Sequence, residues 1–248
     1  MFRLFSRSPK KETNAFDYSV LGADMHSHLL PGIDDGAPDL DASLQLIRGM
    51  EALGYRKLIT TPHILWDMYK NTPDTIQRAL DTVQEALVKE NIGVELKAAA
   101  EYYIDDHVEG LLSRKEPLLT LSDNMVLVEF SMVHPPMGVK EVLFEMQMQG
   151  YQPVIAHPER YSYLVRNKEF YDELKEAGCL FQLNILSLSG GYGRTVTELA
   201  EYLLKHEFYS LVGTDLHHSR HLDALHNPVL ASALQKMQET GRLLNSRL

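Results

Sequence analysis

Cysteine is all but missing from this chain. Cys179 is the only one in 248 residues, which excludes an internal disulfide and fits a reducing compartment such as the cytoplasm. It also excludes thiol-based phosphate chemistry. That chemistry needs a loop of Cys-x5-Arg form, and Ile185 stands where the arginine belongs. Cys179 reads instead as a small buried hydrophobe opening an apolar strand. No apolar run is long enough to span a bilayer. The opening stretch Met1-Phe2-Arg3-Leu4-Phe5-Ser6-Arg7 lacks the apolar centre of a secretory signal. It is expected to fray, with weak basic contact to a membrane surface as the alternative. Basic residues are in deficit, 24 Lys and Arg against 34 Asp and Glu, for a net charge of -10. That balance does not suit nonspecific nucleic-acid binding. Low-complexity tracts, glycine–serine linkers and internal repeats are absent too. The expected organisation is an N-terminal extension over residues 1–22 and one domain over 23–248, with 44% hydrophobic residues enough for a single core.

What is present is a recurring way of ending a strand. A short apolar run closes on Asp24-Met25-His26-Ser27-His28, followed by Asp34-Asp35-Gly36. Alternate residues of a strand share a side, so His26 and His28 can aim two imidazoles at one point, with Asp35 a hard oxygen donor nearby. Six further strand-like runs finish the same way: 57–61 at His63, 94–100 at Glu101, 125–128 at Glu129, 153–156 at His157, 179–183 at Asn184, and 210–214 at Asp215 and His217. Helical patterns separate many of them. Asp39 can cap a stripe of Leu40, Leu44, Ile47 and Leu53, and Thr72-Pro73 opens another of Ile76, Leu80, Val83 and Leu87. Residues 138–148, 167–177 and 195–206 supply three more. Seven strand–helix units imply a parallel sheet closed as a barrel, whose reactive groups sit at the C-terminal ends of strands. Every candidate ligand falls there, which argues for one polynuclear metal site.

In order, these motifs resemble the polymerase-and-histidinol-phosphatase (PHP) superfamily. The block Leu29-Leu30-Pro31-Gly32-Ile33-Asp34-Asp35-Gly36 and His157-Pro158-Glu159-Arg160-Tyr161 resemble, more narrowly, bacterial tyrosine-protein phosphatases of the CpsB/CapC capsular and exopolysaccharide type. The resemblance covers Ala23 to His217 and implies a distorted (β/α)7 TIM-like barrel. It implies two to three divalent ions, usually manganese, and a substrate of phosphotyrosine on a partner tyrosine kinase controlling polysaccharide synthesis. By the same resemblance His26, His28, Glu101 and Asp215 would hold a first ion. Glu101 would bridge to a second with Glu129 and His157, and Asp35, His63 and His217 would hold a third. The residues themselves support pooling these side chains, not their partition. Nitrogen and oxygen donors without thiolate suit manganese, iron or zinc alike.

Such ions make hydroxide available near neutral pH for in-line attack on phosphorus, and a guanidinium can meet the charge that builds. Arg160 is the candidate for that role. Arg220, Arg194 in its glycine-rich loop, and Tyr161 are candidate substrate contacts, as is Trp66 at the expected mouth. His107, His134, His206, His218, His221 and His226 read as surface or packing residues. Two other readings stand beside the phosphotyrosine phosphatase. One is a metallohydrolase acting on histidinol phosphate, another phosphoester or a C–N bond, although no Lys ends a middle strand for the carbamylated bridge of amidohydrolases. The other is a metal-bound scaffold that docks a kinase without turnover, which a full ligand set and Arg160 disfavour.

Overall fold

The computed structural model describes residues 16–134 and 137–248. Nine strand segments and eight α-helices alternate along these residues. The strands are β1 Ala23–Asp24, β2 Lys57–Thr60, β3 His63–Ile64, β4 Glu95–Ala98, β5 Glu101–Tyr103, β6 Met125–Glu129, β7 Gln152–Ala156, β8 Leu180–Asn184 and β9 Leu211–Gly213. All pairings between them are parallel, in the orders β1-β2-β4 and β3-β5-β6-β7-β8-β9.

Two of the expected strands are broken in the middle. β2 and β3 are halves of one strand, and β4 and β5 of its neighbour. Thr60 faces Ala98 and His63 faces Glu101, which is a single register, and Ala99 N and Glu101 N donate to Thr60 O and Pro62 O across the gap. The break falls at Pro62, which has no N–H for the ladder. Rejoined, the segments make seven strands.

Side chains and strand-end peptides close the ring between the first strand and the last. Asn245 donates from Nδ2 to Ala23 O at 3.0 Å and to Val212 O at 2.7 Å, while its Oδ1 accepts from Val212 N at 3.0 Å. One step up, Asp24 accepts from the backbone N and the hydroxyl of Thr214. Higher still the backbones meet, with Asp215 N donating to His26 O and His28 N to Leu216 O. The result is a distorted (β/α)7 barrel.

The helices are α1 Leu40–Ala52, α2 Pro73–Lys89, α3 Asp106–Ser113, α4 Val139–Met148, α5 Glu169–Glu176, α6 Arg194–Lys205, α7 Ser219–Ala224 and α8 Pro228–Glu239. α2 follows its local code closely. Thr72 and Thr75 form a reciprocal capping box, Pro73 takes the first position, and Ile76, Leu80, Val83 and Leu87 are the buried stripe. α1 is capped by Asp39 as expected, but its buried face is Ser43, Leu46, Ile47 and Met50, so Leu40 and Leu44 lie at its edge. α3, α7 and α8 were not expected. The first two are short, whereas α8 buries Leu230, Leu234 and Met237 at i, i+4 and i+7, a stripe that was legible in the sequence.

Of the N-terminal extension, residues 1–15 lie outside the described residues, and with them the stretch Met1–Arg7 that was expected to fray or to contact a membrane. Within the remainder, Tyr18 and Leu21 are each 1% exposed, and Tyr18 OH donates to Leu225 O at 2.6 Å. Among the described residues no helix is long and apolar enough to cross a membrane.

Candidate metal centre

The strand-end side chains converge at the C-terminal mouth of the barrel. His26 Nε2 lies 3.3 Å from Glu101 Oε2 and 3.4 Å from Asp215 Oδ1, and His28 Nε2 lies 3.5 Å from each of the same two oxygens. His157 Nε2 is 3.0 Å from Glu101 Oε1 and 3.6 Å from Glu129 Oε1. His63 stands between two groups, with Nδ1 3.1 Å from Glu101 Oε2 and Nε2 3.6 Å from Asp35 Oδ1. His217 Nε2 completes that side at 3.5 Å from Asp35 Oδ1. All nine sequence candidates are therefore in one cluster. Its donor atoms fall into four overlapping sets: His28, Asp35, His63 and His217; His26, His28 and Glu101; His26, His157 and Asp215; and His63, Glu101 and Glu129. Compared with the partition the resemblance implied, His28 also joins the Asp35 set, His63 takes the place of His157 in the Glu101–Glu129 set, and His157 falls with His26 and Asp215.

Three imidazoles are held from behind, so that Nε2 faces the cluster. His28 Nδ1–H donates to Asp34 Oδ2, His26 Nδ1–H to Gln182 Oε1 and His217 Nδ1–H to Asp215 O, each at 2.8 Å. An outer acceptor of this kind fixes the tautomer that offers the inner nitrogen's lone pair. Asp34 and Gln182 were missed from sequence. The doubled Asp34-Asp35 was the available signal for the first, whereas nothing marked Gln182. Two candidate ligands sit on strained backbone, His157 at φ 30° and Asp215 at φ 51°. Non-glycine residues rarely adopt such values, and where they do the surrounding structure commonly imposes them at a functional site. At the floor of the site, a Cβ on Gly213 would lie 2.6 Å from His26 Cβ, so glycine is needed for the ring to sit where it does.

The cluster meets a direct test of whether it suits cations. His63 Nδ1 and Glu101 Oε2 are buried and face each other, yet neither makes a hydrogen bond, and His157 Nδ1 is likewise unpartnered. Buried polar atoms left this way are costly unless something else satisfies them. Burial, and next the charge of Glu101, push the Glu129 carboxyl up to about 8. Burial holds the His157 ring down at about 4, hence neutral and able to offer a lone pair. Bound cations would relieve the crowding of the carboxylates. The residues fit divalent ions held by nitrogen and oxygen.

Arg160 reaches this cluster from the 3₁₀ turn after β7. Its Nη1 donates to Asp215 Oδ2 at 2.8 Å, the same oxygen that accepts from Asn184 Nδ2 at 2.9 Å, and its guanidinium lies 4.8 Å from the Tyr192 ring centre. The turn is anchored by Glu159, fully buried, which accepts from Asn184 N, Ser187 Oγ and Tyr209 OH. A cleft of about 480 Å³ opens above, with Arg160 and Tyr192 in its wall.

The other substrate candidates are corrected. Tyr161 is fully buried, its hydroxyl donating to Ala156 O and accepting from Phe130 N, so it packs beneath the site and does not line the cleft. Arg194 points to solvent, 90% exposed, and pairs with Glu198. Arg220 is exposed on α7, and neither arginine lines the cleft. Trp66 stacks on His107 at 3.8 Å beside the mouth. Conversely His218 and His221, read as surface residues, do line the cleft. Cys179 is buried, with burial raising its thiol to about 11.

A closed parallel barrel with five imidazoles and four carboxylates gathered at its strand ends defines the class: an α/β-barrel hydrolase whose centre suits divalent ions. Residues 22–241 match the family model described as capsular polysaccharide synthesis, CpsB/CapC. The chain belongs to the CpsB/CapC family. Tyrosine-protein phosphatase YwqE of Bacillus subtilis is 34% identical over 195 residues, 78% of this chain and 76% of that protein. Tyrosine-protein phosphatase CpsB of Streptococcus agalactiae is 31% identical over 200 residues, 78% of this chain and 82% of that protein. Among solved structures, a chain described with YwqE from Bacillus subtilis and CpsB from Streptococcus pneumoniae as unique metal-dependent tyrosine phosphatases aligns with a TM-score of 0.77 at 30% identity. The alignment covers 91% of this chain and 94% of that one.

Proposed function

We propose that this chain is a metal-dependent protein-tyrosine phosphatase acting on a phosphorylated tyrosine kinase that controls capsular or exopolysaccharide synthesis. The observation that carries the proposal is the buried Glu101 carboxylate. Its two oxygens face imidazoles from three strands, and one of them makes no hydrogen bond, directly below the cleft that holds Arg160. The relatives named as tyrosine-protein phosphatases support the choice of substrate. His26, His28, Asp35, His63, Glu101, Glu129, His157, Asp215 and His217 would hold two to three ions, manganese by preference and iron or zinc as alternatives with the same donor chemistry. Divalent ions bound there supply Lewis acidity, drawing charge from phosphoryl oxygens and acidifying water to near neutrality.

The chain's own residues do the rest. Arg160, held by Asp215 and the Tyr192 face, presents a planar fork to the phosphoryl oxygens and opposes their charge as the bond to phosphorus breaks. Asn184 keeps Asp215 oriented toward the imidazoles while Arg160 is engaged. The departing tyrosinate, with an unperturbed pKa near 10, leaves with less protonation than an alkoxide would need. The reaction belongs in the cytoplasm on this reading, where the free thiol of Cys179 stays reduced.

The test is a parallel assay of manganese-reconstituted protein on a phosphotyrosine peptide, its phosphoserine counterpart, histidinol phosphate and a phosphodiester. The phosphotyrosine peptide should be turned over with the highest kcat/KM. Preference for histidinol phosphate would replace this reading with that of a small-molecule phosphoesterase.

A further inference from the structure

The cleft above the metal centre has two unlike sides, and the strand order decides which is which. The loops after β7, β8 and β9 contribute Arg160, Tyr192, His217 and His221, a polar arc. Beside their ligands His63, Glu101 and Glu129, the neighbouring strands β3, β5 and β6 and the turns after them contribute Leu65, Met68, Tyr69, Tyr103 and Met132, an arc of aliphatic, thioether and ring surface whose only polar side-chain atoms are two tyrosine hydroxyls. None of the metal chemistry uses these five side chains. The turn that carries three of them is nevertheless held firmly. Leu65 O accepts from Met68 N and Tyr69 N within one tight turn, the Tyr69 ring stacks on His63, and Trp66 clamps the turn by stacking on His107 and donating from its backbone N to Asp105. Tyr163 OH pins Ser131 O, just before Met132.

We propose that this apolar arc is the seat of the substrate's aromatic ring and confers preference for aryl over alkyl phosphates; the inference rests on the phosphatase reading above. With the phosphoryl group drawn to Arg160, the attached group would lie against Met132, after the adjacent strand β6, and extend toward Leu65, after β3. A phenyl ring there buries its faces on thioether and aliphatic surface, contacts that favour sulfur–aromatic and edge packing. A serine side chain is too short to reach it. Because the wall is anchored before any ligand arrives, little ordering offsets the contact.

Direct binding tests the proposal independently of turnover. Calorimetry on the manganese-loaded protein would compare phenylphosphonate with methylphosphonate, two non-hydrolysable probes differing only in the ring. Wild type should bind phenylphosphonate on the order of tenfold or more tightly, the worth of burying one ring. Leu65→Ser, Met132→Ser and the exposed Met68→Ser should each lower that ratio while leaving methylphosphonate affinity unchanged. Arg160→Ala should weaken both probes and preserve the ratio. A wild-type ratio near one would overturn the proposal without any variant, and so would an undiminished ratio in variants that still bind methylphosphonate. Failure of the wild type to hydrolyse a phosphotyrosine peptide, with the ratio intact, would instead strike the phosphatase reading and leave an aryl-anion site.

Discussion

Removing the Arg160 guanidinium separates charge stabilisation from metal binding. Its side chain is 27% exposed and touches one candidate ligand, Asp215, through a single oxygen. That oxygen keeps Asn184 Nδ2 at 2.9 Å when the arginine is gone, and the other oxygen of Asp215 still faces His26, His28 and His217. Arg160→Ala should therefore leave metal content unchanged. What disappears is a donor aimed at charge that develops during reaction, a loss of roughly 10²–10³ in kcat/KM, or about 2.7–4 kcal/mol. Arg160→Lys should recover only part, because a point charge cannot reproduce the planar fork or its packing on Tyr192. The assay is phosphate release from a phosphotyrosine peptide, with metal stoichiometry measured on the same sample by mass spectrometry. Arg194→Ala and Arg220→Ala serve as controls and should stay within about twofold, since neither side chain lines the cleft. Wild-type kcat/KM in Arg160→Ala would refute the reasoning. Parallel loss of metal and activity would show that Arg160 acts through Asp215.

Glu101→Gln removes the carboxylate shared by four imidazoles, so bound metal per chain should fall and kcat should drop far more than in the surface variant His206→Ala; full metal occupancy with near-normal turnover would take Glu101 out of the centre. Cys179→Ala should retain nearly all activity, and native protein should resist iodoacetamide, because the thiol is buried and raised to about 11; rapid inactivation by alkylation would contradict this. Asn245→Ala strips the partners from Ala23 O, Val212 N and Val212 O at the barrel seam and should cost at least about 3 kcal/mol, at roughly 1–3 kcal/mol for each of the three buried groups left unpaired. A lowered urea midpoint with unchanged KM is the expected signature, and an unchanged midpoint would mean that the backbone pairs near His28 close the barrel alone.

Features that depend on neighbours along the chain could be read directly from the residues. Thr72-Pro73 and the stripe behind it specified α2 through capping and a 3.6-residue period, and the His, Glu and Asp residues at strand ends were legible because a parallel barrel points those ends one way. The exclusion of thiol chemistry needed only the residue six places after Cys179. Which side chains meet across strands emerged only with the fold. Tyr161 and Arg160 are adjacent in sequence, yet one hydroxyl is locked under Phe130 while the other side chain reaches Asp215. Asp34 and Gln182 stand behind imidazoles because of a loop's path and the β7–β8 register, neither of which leaves a periodic trace. Asn245, far along the chain from Ala23, joins the two ends of the sheet. The polar and apolar arcs of the cleft follow from strand order around a closed ring, because closure brings together residues whose spacing in sequence carries no record of their distance in space.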